Sequence, residues 1–169
     1  MKADRERHQT KQLQKDIFLA AVHEAGHVFA YVKLGVGVEY ATIERKRVSH
    51  GGQMMLSSGF TQPCPRGLTR ETIEREAVCT LAGPAAEDAF NGQAQSGNQG
   101  DVDSFRQYAL HVGVTQDEAV ELVSRAYRAA CGLIDSNMDV VKKIAFELMT
   151  KGRIEGPAII QIVGGVLAH

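Results

Sequence analysis

The chain has 169 residues, 44% hydrophobic and 23% charged, and its 19 basic and 20 acidic side chains leave a formal charge of −1. That is enough chain for one domain with a core of its own, and its near-neutral balance gives no electrostatic case for nucleic acid or an anionic membrane as partner. No run of about 18 apolar residues occurs to span a bilayer, and the charged start over 1–15 lacks the apolar stretch of a secretory signal. Three widely spaced cysteines, Cys64, Cys79 and Cys131, argue against a disulfide framework and suit a reducing cytoplasm.

In chain order, residues 1–14 read as a polar N-terminal arm, exposed helix or frayed, and 15–169 as a single domain. From Asp16 apolar residues recur at helical spacing as far as Leu34, where Gly35 and Gly37 stop the helix. Residues 38–45 and 48–56 read as two short strands, and 57–67, with Pro63 and Pro65, as a loop. Thr69 is placed to cap a second helix carrying the stripe Ile73, Ala77 and Leu81. Pro84, which cannot donate to the Thr80 carbonyl, is expected to interrupt that helix, leaving a short continuation over 85–90. The polar, glycine-rich stretch 91–100 has the composition of a linker. A third helix is expected from near Asp101 through Leu110. Thr115 and Glu118 form a capping-box signature opening a long fourth helix. Ser136 or Asn137 opens a fifth, ending near Gly152, and Pro157 a last one. The expected fold is mainly α-helical with a small β-sheet or hairpin.

The chemistry concentrates in HEAGH, residues 23–27. Side chains four apart on a helix stand one above the other, so His23 and His27 can turn ring nitrogens to one cation. Catalytic zinc is held by three protein ligands and keeps a water. Glu24, beside the first histidine, can reach such a water without being a ligand, take its proton as general base and pass it to a leaving amine. A chance HExxH on a buried helix is the competing explanation, but two histidines and a carboxylate left there without metal or partners are costly. Gly26, a poor helix former, reads as a point of close packing against a neighbouring backbone. The third ligand is open from spacing alone. Ala30 and Lys33 stand where an extended metzincin pattern needs Gly and His, which excludes that class. Glu87 and Asp101 are the even candidates, with His50 and His111 behind them.

Four pieces in order, AVHEAGHVFAYV (21–32), LAGPAAED (81–88), SGNQGDVDSF (96–105) and the tail from Arg125 to Gly156, resemble the protease domain of the FtsH family of ATP-dependent zinc metalloproteases. The resemblance covers nearly the whole chain after the first dozen residues. It implies an FtsH-like protease fold and a Zn2+ ion held by His23, His27 and an aspartate from a segment matched by SGNQGD, hence Asp101. Glu87, in the piece matching the family's AEE, would be the carboxylate that hydrogen-bonds a zinc histidine and raises its basicity. Asp103, nearby, reads rather as a helix-start charge. The chain departs from the family in carrying no GxxxxGK[ST] phosphate loop, in Pro84 where the family usually has arginine, and in the loop around 91–100. The expected enzyme is therefore a metallopeptidase acting on unfolded or extended polypeptide, or one that borrows an ATPase or unfoldase in trans.

The segment from Ser49 to Leu56 is the expected platform for an extended peptide, with Gly51 and Gly52 allowing close backbone approach and Gln53 and Met54 beside them. Ile144, Leu148 and Ile159 read as core or as a homo-oligomer contact. Two other functions remain in view: a catalytically quiet metal-binding regulatory module, against which the presence of Glu24 speaks, and a specialised peptidase that cuts a single protein partner.

Overall fold

Between Lys2 and Lys33 the sequence has no proline and one glycine, Gly26, and its first half is rich in Lys, Arg, Glu and Gln, which lose little freedom in a helix. The computed structural model, which describes residues 2–44, 46–50, 53–57, 59–91 and 98–167, runs a single helix α1 over Lys2–Lys33. The expected arm and the motif helix are thus one element, and a division at 14/15 falls in its interior. Gly35 (φ 75°) and Gly37 (φ 81°) end α1 by turning the chain through the left-handed region, with the Val36 N–H donating to the Tyr31 carbonyl at 2.9 Å.

The next stretch forms four strands, β1 (Val38–Thr42), β2 (Lys46–His50), β3 (Gln53–Ser57) and β4 (Phe60–Pro63). β2 and β3 pair only with each other, whereas β1 lies between β4 and a late strand β5 (Arg153–Glu155) in a three-stranded antiparallel sheet. Two expectations are corrected here. The second expected strand divides into β2 and β3, and part of the expected loop 57–67 is β4. Pro63 concealed β4, yet it stands at the last residue of an edge strand, opposite Val38, where a missing N–H removes little. β5, three residues long, is too short to show a period.

Helix α2 covers Ile73–Asn91, beginning later than a Thr69 cap would place it, after a turn closed by Thr72 N–H to the Thr69 carbonyl at 3.1 Å. It is not interrupted at Pro84. Packing accounts for the difference. Every residue from Cys79 to Glu87 is buried, with α1 on one side and α4 on another, and this enclosure outweighs the roughly 3 kcal/mol cost of an internal proline. α3 (Asn98–His111), α4 (Gln116–Asp135), α5 (Met138–Lys151) and α6 (Gly156–Leu167) complete the fold. The Thr115 capping box is present in both directions, Thr115 N–H to Glu118 Oε2 at 2.8 Å and Glu118 N–H to Thr115 Oγ1 at 3.3 Å. Phe29, Leu81, Phe105, Ile134, Ile144, Leu148 and Ile159 are the large fully buried side chains around which the helices close. Ile144, Leu148 and Ile159 thus belong to the core. Among the described residues no helix is long and apolar enough to cross a membrane.

Arg66, in the segment after β4, reaches across to α1 and α2. Its Nε donates to Glu76 Oε2 at 2.8 Å, a terminal nitrogen donates to Glu76 Oε1, and the Tyr31 hydroxyl donates to the same oxygen at 2.9 Å. Glu76 is buried, so removing Arg66 would strand a carboxylate, a change that costs about 3–5 kcal/mol. The clamp fixes β4 and the two helices on which the candidate site is built.

Candidate metal centre

His23 and His27 project from the same face of α1 one turn apart, with ring centroids 4.6 Å apart. α2 passes close beside them because two glycines allow it. A Cβ at Gly26 would collide with the Ala82 carbonyl, and one at Gly83 would land on the His27 ring. The close-packing role expected of Gly26 is what the structure shows.

Each imidazole is oriented through its Nδ1. His23 Nδ1 lies 2.7 Å from Glu87 Oε1, and His27 Nδ1 lies 2.9 Å from the Cys79 carbonyl. A carbonyl can only accept, so His27 Nδ1 carries the proton, and the Glu87 carboxylate favours the same tautomer at His23. Both Nε2 lone pairs then face inward, 3.0 Å from one another. Asp101, in the first turn of α3, adds a carboxylate oxygen, Oδ2, at 3.1 Å from His23 Nε2 and 3.7 Å from His27 Nε2. That oxygen is buried and, despite its closeness to the imidazoles, is held by no hydrogen bond of good geometry. The three atoms lie within 4.8 Å of one another. Two imidazole nitrogens and a carboxylate oxygen that converge in this way could hold a metal ion, and the N, N, O donor set is one that zinc accepts in hydrolytic sites.

Glu24 turns to the other side of the site. It is 5% exposed, and its Oε2 accepts a hydrogen bond from Thr61 Oγ1 on β4 at 2.7 Å. Electrostatics follow from this crowding. Burial pushes the Glu24 carboxyl up, more than the His23 and His27 charges and the Thr61 hydroxyl pull it down. Burial drags His23 down, but Asp101, Glu87 and Glu24 together prevail and push it up to about 10. Burial alone would raise Asp101, yet the two histidines hold it well below the usual carboxylate range. The site is electron-rich and draws positive charge.

The structure therefore brings together His23, Glu24, His27, Glu87 and Asp101. Asp101 faces the Nε2 atoms and Glu87 the far nitrogen of His23. Asp103 instead takes a hydrogen bond from Gln99 and lies 3.8 Å from Arg106. His111 ends α3 and is not one of the converging residues. Gly51 and Gly52 lie outside the described residues, as do the side chains of His50, Gln53 and Met54. β3 pairs with β2 in a separate sheet, and the strand whose side chain meets the motif glutamate is β4. Thr61, Gly59, Gly83 and the Cys79 carbonyl escaped sequence reasoning, because only the three-dimensional approach of β4 and α2 to α1 makes them part of the site. Compared with protein-family models and with curated proteins, the chain gives no match to either.

Proposed function

We propose that this chain is a zinc-dependent metalloendopeptidase with the character of an FtsH-family protease domain, hydrolysing unfolded or extended polypeptide. The observation that carries the reading is the convergence of His23 Nε2, His27 Nε2 and the buried Asp101 Oδ2, with Glu24 beside them. His23, His27 and Asp101 would hold the ion, and Glu87 would keep the His23 lone pair turned inward. Bound zinc would supply a water of lowered pKa and a Lewis acid for a peptide carbonyl. Glu24 would accept that water's proton and return it to the departing amine, and a carboxyl whose affinity for protons is raised by burial suits both halves of the transfer. Mere metal storage does not require a glutamate in this position.

Substrate geometry is supported by the sheet. β4 lies at the edge of the order β4-β1-β5, and its Thr61 reaches Glu24. An extended peptide added along β4 by main-chain hydrogen bonds would pass the motif helix with its backbone in register. Most strands of a folded protein are already paired on both sides and its exposed edges are short or protected, so unfolded segments and exposed loops are the substrate class.

The test is incubation of zinc-loaded protein with unfolded casein, beside the Glu24→Gln variant. The parent should cleave, and Glu24→Gln should keep its zinc by metal analysis yet lose cleavage. Equal cleavage by both would remove Glu24 from the mechanism, and an inert zinc-loaded parent would favour the regulatory-module alternative.

A further inference from the structure

We infer that Gly59, the residue just before β4, and Thr61 on β4 form a socket that positions the Glu24 carboxylate, so that the strand proposed to carry the peptide also aims the base. The inference rests on the peptidase reading. Residues two apart along extended chain face the same way, which presents 59 and 61 together to α1 while Phe60 between them is partly exposed. Thr61 supplies the bond, Oγ1 to Glu24 Oε2 at 2.7 Å, and the same hydroxyl lies 3.4 Å from the Glu24 main-chain carbonyl. Gly59 supplies the space. A Cβ there would stand 2.6 Å from Glu24 Cγ and Oε1 and 2.9 Å from Cδ, so close that the Glu24 side chain would have to shift. Glu24 is buried, so the shift that relieves such a collision would move its carboxylate away from Thr61.

The socket is braced from both sides. Thr61 pairs with Ala41 on β1, and Ala41 is fully buried. Beyond Pro63 the chain runs to Arg66, which is locked to Glu76 and Tyr31. The Thr61 hydroxyl is turned to Glu24, so its part is in aiming Glu24 and not in holding metal. The two functions can be separated by substitution.

Thr61→Val keeps the shape and removes the hydroxyl, Thr61→Ser keeps the hydroxyl, and Gly59→Ala fills the space. Each zinc-loaded variant would be assayed for zinc content, for kcat and KM on unfolded casein, and for calorimetric affinity towards a peptidyl hydroxamate, a metal chelator whose hydroxyl shares a proton with a neighbouring carboxylate. Thr61→Val should retain zinc and KM while kcat falls about 10–100-fold, the range for loss of an orienting hydrogen bond around a metal site. Hydroxamate affinity should fall in step, Thr61→Ser should restore most of both, and Gly59→Ala should behave as Thr61→Val does. Unchanged kcat and hydroxamate affinity in Thr61→Val, or a loss of zinc in place of kcat, would overturn the socket. If the parent neither cleaves casein nor binds the hydroxamate, the peptidase reading fails separately. Crystal structures of the parent and Thr61→Val then decide the socket, a displaced Glu24 carboxylate upholding it and an unmoved one refuting it.

Discussion

Asp101 and Glu87 are both carboxylates within reach of His23, and exchanging their roles would change what each contributes to metal affinity. Asp101 Oδ2 approaches both Nε2 atoms, at 3.1 and 3.7 Å, whereas Glu87 Oε1 is engaged at 2.7 Å by the far nitrogen of His23. Tight protein zinc sites are worth roughly 10–16 kcal/mol. Shared over three protein ligands, that is about 3–5 kcal/mol each, or roughly 10²–10⁴-fold in affinity. Loss of an orienting partner costs about 10–100-fold. Asp101→Asn should therefore emerge nearly zinc-free from dialysis, while Glu87→Gln should remain loaded at micromolar zinc and turn over slowly. The Asp101 change should not unfold the chain, since an acidic residue in the first turn of a helix contributes only about 0.3–1 kcal/mol. Competition against a chromogenic chelator measures both affinities, with circular dichroism verifying the fold. Equal losses in the two variants, or retention of zinc by Asp101→Asn and its loss from Glu87→Gln, would refute the assignment.

Gly83→Ala should lower zinc affinity at least tenfold with the helix content intact, because the added methyl meets the His27 ring. Alanine is otherwise the better helix residue by about 0.8–1.0 kcal/mol, so unchanged zinc affinity with a raised melting point would show the ring to be free to move. The metal-free protein should lose stability as pH rises from 6.5 towards about 10, because His23 is raised in the fold from its ordinary 6.5 to about 10 and its contribution is complete only below the lower value. Thermal midpoints across that range measure the trend, His23→Gln should flatten it, and a midpoint that climbs with pH in the metal-free parent would contradict it.

What could be read in the sequence was what depends on neighbours along the chain. The i, i+4 spacing of His23 and His27 is a property of any helix. Likewise the Thr115–Glu118 box, the Gly35 and Gly37 stop and the end of α5 at Gly152 (φ 72°) follow from local backbone requirements. The misreadings all concern residues whose conformation is decided at long range. Pro84 is tolerated because α2 is enclosed, and Pro63 because β4 is an edge. Thr61 joins the site only because β4 is carried back to α1 by its pairing with β1. Spacing could not rank Asp101 against Glu87, since both lie far along the chain from α1 and which nitrogen each meets depends on the docking of α2 and α3.

Charge explains why so polar a cluster survives beneath the helices. Glu24, Glu87 and Asp101 are three carboxylates set around two imidazoles that are neutral when both Nε2 atoms are lone-pair donors. Two of those acids are buried and Asp101 Oδ2 is without a hydrogen bond, an arrangement that burial alone would make prohibitively costly. The excess negative charge can be met in either of two ways. Protons taken up by the imidazoles satisfy it in part, which is why His23 and His27 are both raised against the pull of burial. A divalent cation at the Nε2 atoms would satisfy it more completely and would have to displace those protons to bind. Metal uptake would therefore be coupled to proton release, and acid would oppose it. Glu24 takes part in this exchange through charge, raising both histidines and being lowered by them in return, while its carboxylate is held by Thr61 and not by an imidazole.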